Sequence, residues 1–218
     1  MNKKMNQKMM NICIDIDGTV TEATYWLKHA NTHFGRTLTP ADVTEYNIDK
    51  VLGIDQATYN AFYARYGEAM HRESEIRPGA SAVINRLYEN HRIHFVTARS
   101  ETMRSVSLEW LNSQRIPLDT LSLLGSHDKV RQARELNCDL FIEDRYENAI
   151  QLSLAGFQVL LVDCPYNRGA LPRSVQRISS WHHVEPLIAK MEHETNSMKT
   201  LSHALPGYPF GMLQLAPA

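Results

Sequence analysis

Two aspartates stand two residues apart at the end of an apolar, β-branched run. The stretch ICIDIDGT (residues 12–19) contains Asp15 and Asp17. Side chains at i and i+2 of a strand point the same way, so both carboxylates can project beyond the strand into one site. Carboxylates this close repel each other unless a cation or a shared proton relieves the repulsion. Oxygen ligands favour a hard cation such as Mg²⁺. Taken alone, the pair could equally be a turn that ends a strand.

Alternating strands and helices must position this pair. Apolar runs predict strands at about 11–16, 93–97, 120–124, 139–143 and 157–162. Helical patterns fall near 78–90, 101–113, 128–137 and 146–155. Such alternation implies right-handed crossovers and a parallel sheet. The sequence therefore predicts an α/β fold with a doubly wound, Rossmann-like parallel sheet.

The interval between the first two predicted strands, roughly 75 residues, exceeds what one crossover helix needs. Within it, TPAD (39–42) has the pattern of a helix start, and Tyr59, Phe62, Tyr63, Tyr66 and Met70 recur at helical spacing. We therefore predict a small helical cap inserted after the first strand. The expected division is a core of residues 11–20 and 77–190, a cap of residues 21–76, and disordered tails at 1–10 and 191–218.

Further polar residues follow the other predicted strands. In open α/β sheets, ligands bind beyond the carboxyl ends of the strands, which meet at one edge. The residues at these ends are Thr97 and Arg99 after the second strand, Lys129 after the third, and Glu143, Asp144 and Asn148 after the fourth. Acids, a hydroxyl and a lysine at one edge predict a site for a metal ion and a phosphate.

The order of these residues resembles the haloacid dehalogenase-like (HAD) phosphohydrolases. Their motifs are matched by DIDGT (15–19), Thr97, Lys129 and the acidic pair ED (143–144). The chain is more narrowly similar to the deoxyribonucleotidase branch. That likeness rests on the short helical cap, on SHDK (126–129) and on the closing segment CPYNR (164–168).

The resemblance implies a mechanism and a role for each residue. Asp15 would attack phosphorus to form an aspartyl-phosphate, and Asp17 would protonate the leaving oxygen and then deprotonate water. The acid role needs an Asp17 pKa above the ~3.9 of free Asp. Mg²⁺ would be held by Asp15, the backbone carbonyl of Asp17 and Asp144. Thr97 and Lys129 would bind the phosphate, with Lys129 also offsetting the charge on Asp15.

Several residues have two readings. Glu143 stands where the family often has Asp, so a role beside the metal rather than on it is expected. Arg99 either touches the phosphate or is a surface arginine, and Asn148 is either a site residue or a helix-surface asparagine. Lys129, taken alone, would be a solvated surface lysine. Tyr25, Trp26 and the aromatic residues of 59–66 either stack on a nucleobase or pack in the core.

Composition limits the partners. The net charge of −1 gives no basic field for a nucleic acid polymer or a membrane surface. The three cysteines form no CxxC, and residues 1–10 lack the apolar core of a signal peptide, so we expect a cytoplasmic protein. The expected partner is a small phosphomonoester, and the sequence leaves open whether the chain forms a homo-oligomer.

The sequence favours a 5′-nucleotidase acting on (deoxy)nucleoside monophosphates. Two alternatives remain open. One is a HAD phosphatase for another small phosphorylated metabolite. The other is a non-catalytic phosphate- or nucleotide-binding module.

Overall fold

The sheet is six-stranded and parallel, with the order β3-β2-β1-β4-β5-β6. The computed structural model describes residues 9–193 of the 218. The strands are β1 (Asn11–Ile14), β2 (Arg92–Thr97), β3 (Thr120–Leu123), β4 (Leu140–Glu143), β5 (Gln158–Val162) and β6 (Val175–Ile178). The strand order reverses direction at β1, so the predicted doubly wound α/β fold is confirmed.

Helices connect the strands and cover the sheet. They are α1 (Leu27–Phe34), α2 (Ile48–Leu52), α3 (Gln56–Arg72), α4 (Ala80–Tyr88), α5 (Arg104–Ser113), α6 (Val130–Glu135) and α7 (Tyr146–Leu154). Short 3₁₀ turns lie at Pro40–Asp42, Glu101–Met103 and Trp181–His183, and residues 184–193 are helical. Within the described part of the chain, no helix is both long and apolar enough to cross a bilayer.

Successive side chains of a strand point to opposite faces of the sheet, and an apolar core lies on each face. Ile12 and Ile14 of β1 face one side, where α4, α5 and the helical residues 184–193 pack, whereas Cys13 faces α6 and α7. Both faces of the sheet are thus covered, which explains why the strands are nearly continuously apolar. Cys13 is a buried apolar residue, as expected from its place inside a strand.

A separate apolar cluster lies between β1 and β2 in the chain. Helices α1, α2 and α3 pack together there, with Phe62 and Met70 of α3 buried. The predicted helix start at 39–42 is a single 3₁₀ turn, in which the Thr39 N–H donates to Asp42 Oδ2 at 2.7 Å. The helix face predicted from residues 59–70 lies on α3 and supplies part of this cluster.

Three details differ from the sequence expectations. The strand β6 was not predicted, because Val175–Ile178 is a short edge strand whose two central residues are polar. Met10, placed in the N-terminal tail by the sequence analysis, instead packs into the core. Residues 191–193, placed in the C-terminal tail by the sequence analysis, are instead helical, and Met191 packs against the core. Residues 1–8 and 194–218 of the predicted tails lie outside the described residues.

His91 lies just before β2, and its buried imidazole should make the stability of the fold depend on pH. The side chain is buried, and its Nδ1 accepts a hydrogen bond from the Met10 N–H at 3.3 Å. Burial lowers the His91 pKa below its ordinary 6.5, so the unfolded chain binds more protons just below that pH. The contribution of His91 to the free energy of unfolding should therefore fall as pH drops below about 6.5, by at most about 1.4 kcal/mol per pH unit.

Urea unfolding at about pH 7.5 and pH 5.5 checks this expectation. His91→Asn supplies an oxygen that can accept from Met10 but does not titrate, so the variant should lose less stability between the two pH values. Other groups also titrate between these pH values, because burial lowers the pKa of His94 and His127 and raises that of Asp144, so the difference between the two proteins is what reports on His91. An identical loss in both proteins would show that His91 is not responsible.

Candidate active site

Asp15 is paired with a buried lysine at the carboxyl edge of the sheet. It follows β1 directly, and its backbone N–H donates to the Ile142 carbonyl of β4 at 3.0 Å. The Lys129 ammonium contacts Asp15 Oδ1 and lies 2.8 Å from Glu143 Oε2. All three side chains are nearly inaccessible to solvent. One buried cation thus joins the ends of β1 and β4.

Glu143 has partners for both oxygens. Besides Lys129 at Oε2, its Oε1 accepts from Asn148 Nδ2 at 2.9 Å and from the Arg145 N–H at 3.3 Å. Asn148 is buried on the first turns of α7. Glu143 is therefore held as an anchor for Lys129, which suits the expected role beside the metal rather than on it.

Asp144 differs from the other acids of the site. Its Oδ2 accepts from Tyr166 Oη at 2.5 Å and its Oδ1 from Thr19 Oγ1 at 3.2 Å. Among residues 9–193 it forms no ion pair, although it is buried. Burial and the neighbouring Glu143 charge raise the pKa of Asp144 to about 7. The site therefore holds a carboxylate that lacks a cation.

These acids fit a hard divalent cation. One carboxylate oxygen each from Asp15, Glu143 and Asp144 lies within 4.8 Å of the others. Burial and the nearby carboxylates raise the pKa of Asp15, against the opposing effect of Lys129. A divalent cation would relieve this crowding, and oxygen donors are the ligands that Mg²⁺ prefers. Asp15 and Asp144 are better placed to hold it than Glu143, because Asp144 accepts only from neutral hydroxyls and Lys129 contacts one Asp15 oxygen, whereas Glu143 is paired with Lys129 and accepts two N–H donors at its other oxygen.

Asp17 is clamped by an arginine. Arg99 Nε and Nη2 donate to Asp17 Oδ2 and Oδ1 at 2.8 and 2.7 Å, and Arg99 Nη1 donates to Ser107 Oγ at 2.9 Å. Burial opposes ionisation of Asp17, but the Arg99 guanidinium outweighs it and holds the Asp17 pKa well below its usual range. The expectation of a raised Asp17 pKa is therefore wrong for this arrangement, because the sequence did not reveal the ion pair.

Three surface alternatives are also wrong. Arg99, Lys129 and Asn148 are each buried, at 4%, 2% and 2% exposure, so none is a solvated surface residue. Each instead donates to an acid of the site. Thr97, at the end of β2, is buried as well, and its Oγ1 accepts from the Arg99 N–H at 3.2 Å.

Gly18 allows the loop after β1 to pass close to Asp144. Its φ is +80°, and a Cβ at this position would lie 2.3 Å from Asp144 Oδ2 and 2.7 Å from Tyr166 Oη. Both the left-handed backbone and the close approach exclude a side chain. We expect Gly18→Ala to lower the free energy of unfolding by at least about 2 kcal/mol and activity by at least about 10²-fold.

Gly53→Ala is the matched control for this prediction. Gly53 also has a left-handed φ of +62°, but a Cβ there would meet nothing within 4 Å. Its substitution should cost about 1 kcal/mol of stability and leave kcat unchanged. Measuring urea unfolding and turnover for both variants separates backbone strain from the clash with Asp144. Equal effects on activity would contradict a close packing role for Gly18.

A cavity of about 610 Å³ opens above these acids. Asp15, Asp17 and Asp144 line it, together with Thr97 and Arg99, whereas Lys129 does not. The inserted segment supplies much of the opposite wall. All of the predicted aromatic residues belong to the apolar cluster or pack against it, and four of them also line the cavity: Tyr25, Trp26, Tyr59 and Tyr63.

Tyr46, His127 and Tyr166 were not predicted as site residues, and all three line the cavity. The Tyr46 ring lies under the Arg145 guanidinium at 4.5 Å and packs edge-on against the other two rings at 5.5–5.6 Å. Tyr166 lies within CPYNR (164–168), the segment that resembles the nucleotidase branch. The proximity of its tyrosine to Asp144 has no local sequence signal.

His71 was also missed. It is almost fully buried on α3, and its Nδ1 lies 3.4 Å from Asp17 Oδ1. Burial and the Arg99 charge lower the pKa of His71, which favours the neutral ring. Its position among the polar residues at the end of α3 gave no hint that it reaches the site.

The sequence of this chain matches a known protein family over nearly its whole described length. Residues 8–193 match the family described as 5′ nucleotidase, deoxy (Pyrimidine), cytosolic type C protein. The chain belongs to this family. A nucleotidase of Clostridium acetobutylicum is 42% identical over 191 residues, which cover 88% of this chain and 100% of that protein.

Solved structures share the fold of this chain. A haloacid dehalogenase-like hydrolase from Streptococcus pneumoniae superposes with a TM-score of 0.63 at 13% identity, covering 82% of this chain and 98% of that one. A phosphonoacetaldehyde hydrolase-like protein from Oleispira antarctica gives 0.63 at 13%, covering 88% and 96%. The solved structures thus show the HAD-like fold, and membership of the 5′ nucleotidase family identifies the protein as a phosphomonoester hydrolase.

Proposed function

We propose that this protein is a Mg²⁺-dependent 5′-nucleotidase that acts through an aspartyl-phosphate on Asp15. The observation that carries the proposal is the asymmetry between the buried acids. Asp15 is held by Lys129 at the floor of the cavity, while Asp144 beside it forms no ion pair within residues 9–193. This arrangement supplies a fixed nucleophile next to a buried carboxylate whose charge a divalent cation would balance.

Asp15 would attack the phosphorus atom of the substrate in the first half-reaction. A bond forms between a carboxylate oxygen and phosphorus, and the bond from phosphorus to the leaving oxygen breaks. Lys129 orients Asp15 and offsets its charge, because the ammonium contacts both Asp15 and Glu143. Thr97, which lines the cavity, would donate its hydroxyl to a phosphate oxygen. A direct contact between Lys129 and phosphate stays a prediction.

Mg²⁺, when bound, would offset the repulsion between the attacking carboxylate and the substrate phosphate. Asp15, Asp144 and the backbone carbonyl of Asp17 would hold it. Tyr166 and Thr19 fix the Asp144 carboxylate by donating to its two oxygens. Such outer hydrogen bonds orient metal ligands, so Tyr166 would tune the ion from outside its coordination shell.

Asp17 would give a proton to the leaving oxygen and then take one from the water that attacks the aspartyl-phosphate. Arg99 keeps Asp17 ionised when no substrate is bound. A phosphate dianion entering the cavity adds negative charge near Asp17, which raises its pKa, and competes for Arg99. On substrate binding, Asp17 would thus take up a proton, from solvent or from a monoprotonated phosphate group, and this is the proton that it gives to the leaving oxygen.

The inserted segment, residues 21–76, would act as the cap that selects the leaving group. It contributes aromatic rings from Tyr25, Trp26, Tyr59 and Tyr63 to the cavity wall. Aromatic faces suit a nucleobase, since stacking tolerates any base. The volume of about 610 Å³ lies in the range of small-ligand sites, so a nucleoside monophosphate fits better than a polymer.

A substrate panel with metal control tests this function. Deoxyribonucleoside monophosphates, ribonucleoside monophosphates and sugar phosphates are assayed for phosphate release with Mg²⁺ and with a chelator. We expect nucleoside monophosphates to be hydrolysed best, and chelation to abolish turnover. Failure on every nucleotide with success on sugar phosphates would point to another metabolite. Tight nucleotide binding without turnover would point to a binding module instead.

A further inference from the structure

Asp17 lies between two sets of neighbours. Arg99, which follows β2, donates to both of its oxygens at 2.7–2.8 Å. On the opposite side, His71 of α3 brings Nδ1 within 3.4 Å of Asp17 Oδ1. That approach lacks the geometry of a hydrogen bond, and His71 Nδ1 has no other partner among the described residues. His71 is only 1% exposed, so this nitrogen is also hidden from water.

The rest of the His71 ring is held firmly. Its Nε2 lies 2.8 Å from Tyr63 Oη, and its ring stacks on Tyr25 with centroids 5.4 Å apart and planes 24° apart. An ionised carboxylate only accepts hydrogen bonds, so Nδ1 must carry the hydrogen that faces Asp17. In the neutral ring, Nε2 then accepts from the Tyr63 hydroxyl. The ring therefore presents one aimed donor to Asp17.

A buried donor without a partner is costly, about 1–3 kcal/mol, and its presence calls for an explanation. The unpartnered nitrogen does not belong to the apolar interior, because His71, Tyr25 and Tyr63 line the same cavity as Asp17. The proposed proton transfer by Asp17 offers an explanation for this donor. While Arg99 binds both oxygens, Asp17 has poor access to a leaving group. To exchange a proton with substrate, Oδ2 must leave Arg99.

We propose that His71, oriented by Tyr63, is a positioning residue for Asp17. When Oδ2 turns toward the leaving oxygen, His71 Nδ1–H donates to Oδ1 and fixes the carboxyl in that orientation. His71, Tyr63 and Tyr25 all belong to the segment 21–76. The placement of that segment over the substrate is thereby coupled to proton transfer at Asp17. This inference rests on the proposed function.

The test uses two substrates that differ in their need for a proton. A nucleoside leaving group is an alkoxide and requires protonation, whereas p-nitrophenolate leaves without it. A residue that positions the acid affects the first substrate selectively, while a structural residue affects both alike. The first readout is kcat/KM on the best nucleoside monophosphate. The second is the release of p-nitrophenol from p-nitrophenyl phosphate during the first turnover. First turnover is needed because later turnovers include water activation by Asp17.

Three variants and one control are compared, with melting temperatures to confirm folding. In His71→Gln, the side-chain amide lies near the position of the imidazole Nε2, and no donor replaces the imidazole Nδ1–H. The value of kcat/KM on the nucleotide should therefore fall about 30–100-fold. Tyr63→Phe removes one oxygen atom and should cost about 5–10-fold. His71→Asn places a donor near Nδ1 and should stay within about 5-fold of the wild type. First-turnover nitrophenol release should change by less than about 3-fold throughout.

Tyr66→Phe is the control, because it removes a hydroxyl from the next turn of α3 outside the cavity lining. It should change neither readout. Equal losses on both substrates, a loss on neither, or the same selective loss in Tyr66→Phe would overturn the positioning role. A wild type that hydrolyses neither substrate would instead refute the proposed function, so the two failures are distinguishable.

Discussion

Asp15→Asn should lower kcat on the best phosphomonoester by at least about 10⁴-fold. The amide is nearly isosteric with the carboxylate but lacks the negative oxygen that attacks phosphorus. The substitution also leaves Lys129 its contact with Glu143 at 2.8 Å, so the buried cation keeps a partner. The variant should therefore fold and bind substrate while failing at the chemical step. Steady-state phosphate release, with binding followed separately, measures this.

Asp128→Asn controls for the loss of an acid near the same edge of the sheet. Asp128 is exposed, and its Oδ1 accepts from the Val130 N–H at 3.3 Å, a role that Asn can keep. This variant should retain wild-type kcat. If Asp15→Asn kept activity within about 10-fold of the wild type, Asp15 would not be the nucleophile.

Lys129→Met should cost both stability and turnover. The ammonium is 2% exposed and contacts Asp15 and Glu143. Removing one partner of a buried ion pair leaves uncompensated charge, which costs about 3–5 kcal/mol of unfolding free energy. Turnover should fall by at least about 10³-fold, because Asp15 loses the group that orients it and balances its charge.

Lys28→Met is the same substitution at an exposed ion pair. Lys28 lies 3.1 Å from Glu73, with a side chain that is 82% exposed. Exposed pairs contribute about 0–1 kcal/mol, so this variant should unfold near the wild-type urea midpoint. If the two variants had equal stability and Lys129→Met kept its activity, the buried lysine would have no central role in the site.

The edge of the sheet that carries the site was predictable. Strand ends can be recognised from apolar runs followed by polar residues, and parallel strands bring those ends together. Asp15, Asp17, Thr97 and Asp144 all line one cavity for this reason. Burial of Lys129 and Asn148 was harder to foresee, because a single polar residue at a helix start is usually solvated.

Contacts between the inserted segment and the core could not be predicted. Helical spacing shows that residues 59–70 share a face, but it does not show which end of α3 lies over the site. That placement decides that His71 reaches Asp17 while Tyr66 packs inside the apolar cluster. The Arg99–Asp17 ion pair likewise joins residues from separate strand ends. Its effect on the Asp17 pKa follows from the fold rather than from local sequence.

The most direct test of the central claim is to locate the phosphoryl group during turnover. The protein with Mg²⁺ and its best nucleoside monophosphate is quenched in acid within the first turnover, digested, and mapped by mass spectrometry. We predict one added phosphoryl group on the peptide that contains Asp15, and none in Asp15→Asn. A phosphoryl group on another residue, or turnover by the wild type with no phosphorylated peptide, would contradict the aspartyl-phosphate mechanism.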